Sequence, residues 1–247
     1  MKKVITTTIA AGLVASVASA GVSTTFDFAS AYVFRGVTLN DGAVFQPGIE
    51  ASGFGMPEEW GGVAFGAWGN YDINDYDGNV PGSTFTETDW YVSYSLPSFV
   101  DGLDLFLGYA EYTYGGPARD EELNFGAGYE VAGVGLGLTL YQGVGGLIGQ
   151  QTYIEATAGY GMDFTEELSG SIDASVGFIT YDDSVTGLDD GFHNYSIGAS
   201  IGYALSDTWS AGASVTYIGQ GDDMVLPDGV FGYDVSAVGM LSLACEM

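Results

Sequence analysis

Along most of the chain apolar residues recur at every second position, the period of a strand with two unlike faces rather than of a helix. Residues 85–96 show it most cleanly. Thr86, Thr88, Trp90, Val92, Tyr94 and Leu96 share one side, and Glu87, Asp89, Tyr91, Ser93 and Ser95 the other. The first such segment sets Phe26, Phe28, Tyr32 and Phe34 against Asp27 and Arg35. Further segments follow near 44–54, 62–71, 103–113, 121–131, 134–142, 151–162, 168–180, 193–205, 208–218 and 230–247. The pattern therefore predicts twelve strands of about ten residues or slightly more, the length a tilted strand needs to cross a bilayer.

The connections alternate in kind. Compact links fall around Met56–Trp60, Pro97–Asp101, Ala132-Gly133, Asp163–Glu166 and Ser206-Asp207. Longer or Gly/Asp-rich links span Asp72–Thr84, Gly143–Gln150, Asp182–Gly191 and Gly219–Gly229. An even strand count, with short turns on one side and long loops on the other, is the arrangement of an outer-membrane barrel. The expected fold is all-β, a transmembrane antiparallel up-and-down barrel. A secreted β-sandwich alternates too, but buries its apolar faces in a core. Gly and Ser crowd the polar face here and aromatics gather toward strand ends, which favours the barrel.

Composition sharpens this at the N-terminus. Lys2 and Lys3 precede an uncharged apolar run, and Ala18-Ser19-Ala20 is a small-x-small cleavage signature. Residues 1–20 read as a signal peptide, too short in its apolar part to span a membrane, and residues 21–247 as the barrel. Beyond the leader only Arg35 and Arg119 oppose 32 acids. That charge repels nucleic acid. The lone Cys245 excludes an internal disulfide, so stability must come from elsewhere, such as a closed hydrogen-bond network.

Ser30, Tyr32, Arg35, Gly36, Val37 and Thr38, followed by Pro47 near the next strand, form a pattern that resembles the opening of the TorF-type porin family of Gram-negative bacteria. The likeness covers about the first fifty residues and is compositional beyond them. It implies an outer-membrane barrel with a pore role. The C-terminus departs from the usual final aromatic: Met247 stands there, on the same parity as Leu241, Leu243 and Cys245. Expected partners are outer-membrane lipid, the barrel-assembly machinery and small hydrophilic solutes or cations. Oligomeric state is open, and no cofactor or metal is expected.

If the apolar face meets lipid, strand parity turns Asp27, Glu50, Glu87, Asp89, Asp104, Glu122, Glu130, Glu155, Asp173 and Asp234 inward, with Arg35 as the sole inward base. An acidic lumen of this kind attracts cations. Arg35 is expected to pair with lumen carboxylates. Twelve strands lie between the filled eight-stranded barrels and the open sixteen-stranded porins. Trp68, Tyr91, Phe106, Tyr112, Tyr141 and Tyr153 also point inward and could fill the path. A non-conducting structural or adhesive barrel therefore remains an alternative.

Two further chemistries are weaker. Asp72, Asn74, Asp75, Asp77 and Asn79 gather oxygens, but calcium-loop spacing fails at Ile73 and Thr84. An outer-membrane hydrolase would need a nucleophile beside the one histidine, His193. Tyr195 takes the position where a serine would share its face, and no Gly-x-Ser-x-Gly elbow is present. His193 is expected at a loop edge.

Overall fold

In the computed structural model, which describes residues 21–181, 187–227 and 234–247, fourteen strands follow one another. They are β1 (Gly21–Ala29), β2 (Tyr32–Phe34), β3 (Val37–Asn40), β4 (Val44–Ser52), β5 (Gly62–Asp72), β6 (Thr84–Ser95) and β7 (Leu103–Tyr114). Then come β8 (Arg119–Val131), β9 (Val134–Gly145), β10 (Thr152–Asp163), β11 (Leu168–Thr180), β12 (Gly191–Ala204), β13 (Trp209–Gln220) and β14 (Ala237–Glu246). Twelve of them form a closed antiparallel barrel, in which β1 pairs with β14 on one side and β4 on the other. Closure leaves no strand edge to bond a second chain. The expected signal segment, and Phe231 and Tyr233 of the expected last strand, lie outside the described residues.

The apolar parity faces outward. Phe28, Phe65, Trp90, Phe125, Leu138, Ile172, Ile197, Val215 and Leu241 are all exposed. The largest fully buried side chains include Glu122, Asn40, Asn70 and Asp72 beside Leu226, Val44 and Val225. A water-soluble sandwich would have these two populations exchanged. An apolar exterior around a polar interior is the distribution a bilayer selects.

The two rims differ. One carries both ends of the barrel and the tight turns, the shortest being Ala132-Gly133, where both residues hold positive φ as a type I′ turn requires. The other carries segments 30–43, 73–83, 115–118 and 146–151 and the described parts of the links after β11 and β13, 181, 187–190, 221–227 and 234–236.

Three sequence expectations are corrected. The first strand does not run through to Arg35: the wall strand β1 stops at Ala29, and β2 and β3 make a separate two-stranded sheet. Tyr32 and Phe34 thus leave the lipid side, which strand period alone assigned them, because a chain reversal intervenes. The last wall strand starts at Ala237, so Asp234 sits in the preceding loop rather than on the wall. His193 is no loop-edge residue. The register of β11 with β12 jumps from Gly177↔Asn194 to Phe178↔Phe192, so His193 is the extra residue of a bulge and is buried. A bulge re-aims one side chain and breaks the parity argument at that point.

Candidate functional site: a hairpin inside the lumen

Residues 30–43 leave the loop rim and fold down into the barrel. Their two strands pair with each other, with Phe34 opposite Val37, around the two-residue turn Arg35-Gly36. Both turn residues hold positive φ, 49° and 83°, which makes it a type I′ turn. Glycine is required at the second position twice over. The backbone is left-handed there, and a Cβ would come 2.8 Å from the Asn194 Cβ.

The tip is fixed to the wall by charge. Arg35 donates Nη1 to Glu122 Oε2 at 2.8 Å and Nη2 to Oε1 at 3.0 Å, a bidentate pair. The Tyr112 hydroxyl donates to the same carboxylate at 3.1 Å. The guanidinium stacks within 4.4 Å of the Tyr141 ring centre, 4.5 Å of Tyr153 and 4.8 Å of Phe34. Such rings stabilise a cation away from bulk water. His193 hydrogen-bonds the Arg35 backbone and lies 3.0 Å through Nδ1 from Asn194 Oδ1, which also accepts from the Tyr153 hydroxyl at 2.9 Å.

Side chains hold the rest of the hairpin. Asn40 donates to Asp72 at 2.7 Å, and Asn70 donates to the same oxygen at 2.8 Å. The Tyr32 phenol bonds Glu87, and its ring lies 5.6 Å from Trp68. Thr38 Oγ1 accepts from the backbone amides of Asp234 and Val235, each at 3.2 Å. Asp234 in turn accepts from the Tyr76 hydroxyl, which bridges two loops of the rim. That bond holds the Tyr76 phenol up at about 12, so it stays protonated and donating until pH rises through that value. Leu226 and Val225 are buried, and Leu226 lies close to Gly36. Beside the hairpin a cleft of about 210 Å³ remains, lined by Tyr32, Leu39, Asn70, Asp72, Glu87 and Tyr114.

The wall aromatics behave differently from the sequence reading. They do point inward, yet two of them, Tyr91 and Phe106, lie flat rather than across the path. A Cβ on Gly66 would fall 2.0 Å from the Tyr91 ring, and one on Gly126 would fall 2.1 Å from Phe106. Each ring covers the glycine directly opposite it on the neighbouring strand. The obstruction is therefore the hairpin, with Tyr141 and Tyr153 packed under its tip.

Toward the short-turn rim the wall from β8 to β13 is lined by Gly and Ser. A Cβ on Gly161 would meet nothing within 4 Å, and on Gly135, Gly159 and Gly128 nothing nearer than 3.8 Å. Ser171 with Ser200, at 2.7 Å, and Ser175 with Ser196, at 2.9 Å, hydrogen-bond along the same side.

Of the acids assigned inward by parity, nine lie on the lumen side of the wall. Glu87, Asp89, Glu122 and Glu155 surround the hairpin. Asp27 bonds Ser242, Glu50 accepts from Tyr91 at 3.2 Å, and Asp104, Glu130 and Asp173 lie further from the hairpin tip. Asp234 is the exception already noted. Two lumen acids escaped the sequence reading. Asp72 and Asp120 stand at strand ends and are buried, Asp120 accepting from Tyr114 at 2.9 Å and from the Leu147 amide at 2.5 Å. Their placement at the edges of alternating runs hid them. Arg119 faces the other way, 3.1 Å from Glu121 and 3.6 Å from Glu111. Among the described residues Arg35 is the one lumen base, and Glu122 neutralises it.

These features define a closed twelve-stranded antiparallel β-barrel with an apolar exterior and a polar lumen. No family model and no curated relative matches the chain. Solved structures do. An outer-membrane channel from Pseudomonas putida F1 aligns over 97% of this chain and 100% of its own, with a TM-score of 0.57 and 8% identity. The NanC porin aligns over 92% and 100%, with a TM-score of 0.53 and 6% identity. Outer membrane phospholipase A from Escherichia coli, as an active-site mutant, aligns over 92% and 90% at a TM-score of 0.50 and 12% identity. At such identities the likeness is one of fold, and this fold hosts both channels and an enzyme.

Proposed function

We propose that the protein is a passive outer-membrane channel for small hydrophilic solutes, with a preference for cations, exported through the leader at residues 1–20. The observation that carries this reading is the lumen itself. Its wall toward the short-turn rim is paved with Gly and Ser, carboxylates face it, and its only described base is paired. A wall of small residues leaves room for water, and unpaired carboxylates set the sign of the field in it. The long-loop rim is then extracellular and the turn rim periplasmic. The TorF-type likeness of residues 30–47 agrees with this reading, and the motif supplies the hairpin rather than a wall strand.

Planar-bilayer recording in a KCl gradient tests the proposal. The expected result is current steps with a reversal potential shifted toward that of K⁺; absence of steps, or a shift toward Cl⁻, would remove it. The second reading, a non-conducting structural or adhesive barrel, is favoured by one observation, the hairpin lying across the lumen. A hydrolase reading gains nothing from His193, whose neighbours are Asn194, Tyr153 and the hairpin backbone.

A further inference from the structure

We propose that the Tyr32–Asn40 hairpin is a displaceable gate, latched shut by the Arg35–Glu122 pair, rather than a fixed part of the wall. The inference rests on the channel reading above and adds a mechanism to it.

Four observations carry it. First, the backbones of β2 and β3 pair as strands only with each other and belong to no wall ladder. The hairpin keeps its internal bonds wherever it goes, so it can move as one body. Second, its hydrogen bonds to the rest of the barrel run through side chains, Arg35 to Glu122, Asn40 to Asp72, Tyr32 to Glu87 and Thr38 to the 234–235 backbone, beside contacts of Tyr32 with Trp68, Phe34 with Tyr112 and Leu226 with Gly36. A buried ion pair seldom outdoes well-packed hydrophobic side chains in stability, so the charged bond at the tip is the part of this hold least suited to a permanent stopper. A charged latch can exchange its bonds for water when it lets go. Third, the wall around the latch is polar on its own account. Asp89 Oδ1, Ser93 Oγ and Asn124 Oδ1 are buried without a protein hydrogen bond, so the surface left by a departing hairpin is one that water wets. Fourth, toward the short-turn rim Gly128, Gly135, Gly159 and Gly161 have open space before them, so a hairpin that moves gives onto room already present in the lumen.

The groups facing Arg35 also explain why the latch closes tightly. Glu122 supplies the opposite charge, and Tyr141, Tyr153 and Phe34 exclude water around the guanidinium. Exclusion of water strengthens the pair while it is formed. The gate is then shut for most of the time and opens in brief, complete events.

The test uses the full-length mature protein in planar bilayers, in a Cys245→Ser background. Four forms are compared: the parent, Glu122→Gln, a Thr38→Cys/Val235→Cys pair, and a form with residues 31–42 replaced by a short Gly-Ser link. Thr38 Oγ1 lies 3.2 Å from the Val235 amide, so the two residues are neighbours, and the mass of the oxidised form verifies the disulfide before recording. The parent should show rare openings. Glu122→Gln should raise the open fraction at least tenfold. The oxidised cysteine pair should silence the channel, and a reductant should restore it. The deletion should stay open. If parent, Glu122→Gln and the locked form carry the same current, the hairpin is a fixed constriction with a path beside it, and the gate is refuted. If only the deletion conducts, the hairpin is a permanent plug, which also refutes it. If the folded deletion form does not conduct either, the channel reading itself fails.

Discussion

Arg35 and Gly36 show how much a pair of residues can decide. In a strand they would be two alternate side chains; as a type I′ turn they reverse the chain and drive the hairpin into the lumen. Burial of the tip has a simple consequence for proteolysis. Trypsin added to intact folded protein should leave the Arg35–Gly36 bond uncut, whereas Gly36→Val, which forces a branched side chain into left-handed backbone and against Asn194, should expose it. N-terminal sequencing of the fragments checks this, and cleavage of the parent at Arg35 would contradict the buried tip. The ring-over-glycine pairs make a second residue-level prediction. Gly126→Val removes the bed on which the Phe106 ring lies. Overpacking of this sort costs about 1–3 kcal/mol. Urea unfolding in detergent should show that loss, and single-channel conductance should fall as the ring swings into the lumen. A variant as stable and as conducting as the parent would mean the ring has another resting place.

At the level of elements the wall strands and the hairpin obey different rules. Wall strands are fixed by two ladders each, and their alternation translates directly into outside and inside. The hairpin has one ladder and is placed by side chains. β10 allows the two faces to be compared with one pair of substitutions. Gly159 faces the lumen and Ala158, its neighbour, faces outward. Gly159→Trp should lower single-channel conductance at least twofold, while Ala158→Trp should leave it unchanged, because an outward indole meets only lipid. Equal effects would put the solute path elsewhere. The bulge in β12 makes the same point from the opposite side. One added residue turns His193 inward to meet the hairpin, and no periodicity-based reading of that strand could assign it correctly.

For the molecule as a whole, the governing fact is the inversion of polarity. Apolar side chains coat the outside, and the interior contains carboxylates in excess of any described base. A field set by such charges acts through water in the lumen, so it is screened by salt. The Debye length falls from about 10 Å at 0.1 M to about 3 Å at 1 M. Cation preference should therefore weaken as KCl is raised over that range, as read from reversal potentials at a constant gradient ratio. Replacing Glu50 and Asp173 with Gln and Asn should weaken it at low salt. Those two stand clear of the hairpin latch, so their effect reports on the path rather than on the gate. Selectivity that ignores both salt and these substitutions would mean that the preference arises at the extracellular loops.

The strand count, the antiparallel closure, the alternation of turns and loops and the outward face were legible in the chain. The reason is physical: a wall strand repeats the same two environments every two residues, and residue chemistry such as that of Phe65 or Trp90 reports which one it meets. The inward placement of Glu50, Glu87, Asp89, Glu122 and Glu155 followed from the same rule. The rule fails wherever the backbone stops being a regular strand. The reversal at Arg35, the bulge at His193 and the late start of β14 behind Asp234 each depend on what the chain meets across the barrel. Glu122, which captures Arg35, is 87 residues away in sequence, and a contact of that separation exists only once the barrel has closed. Local periodicity determined the wall; the tertiary structure alone decided that part of the first strand would leave it and occupy the lumen.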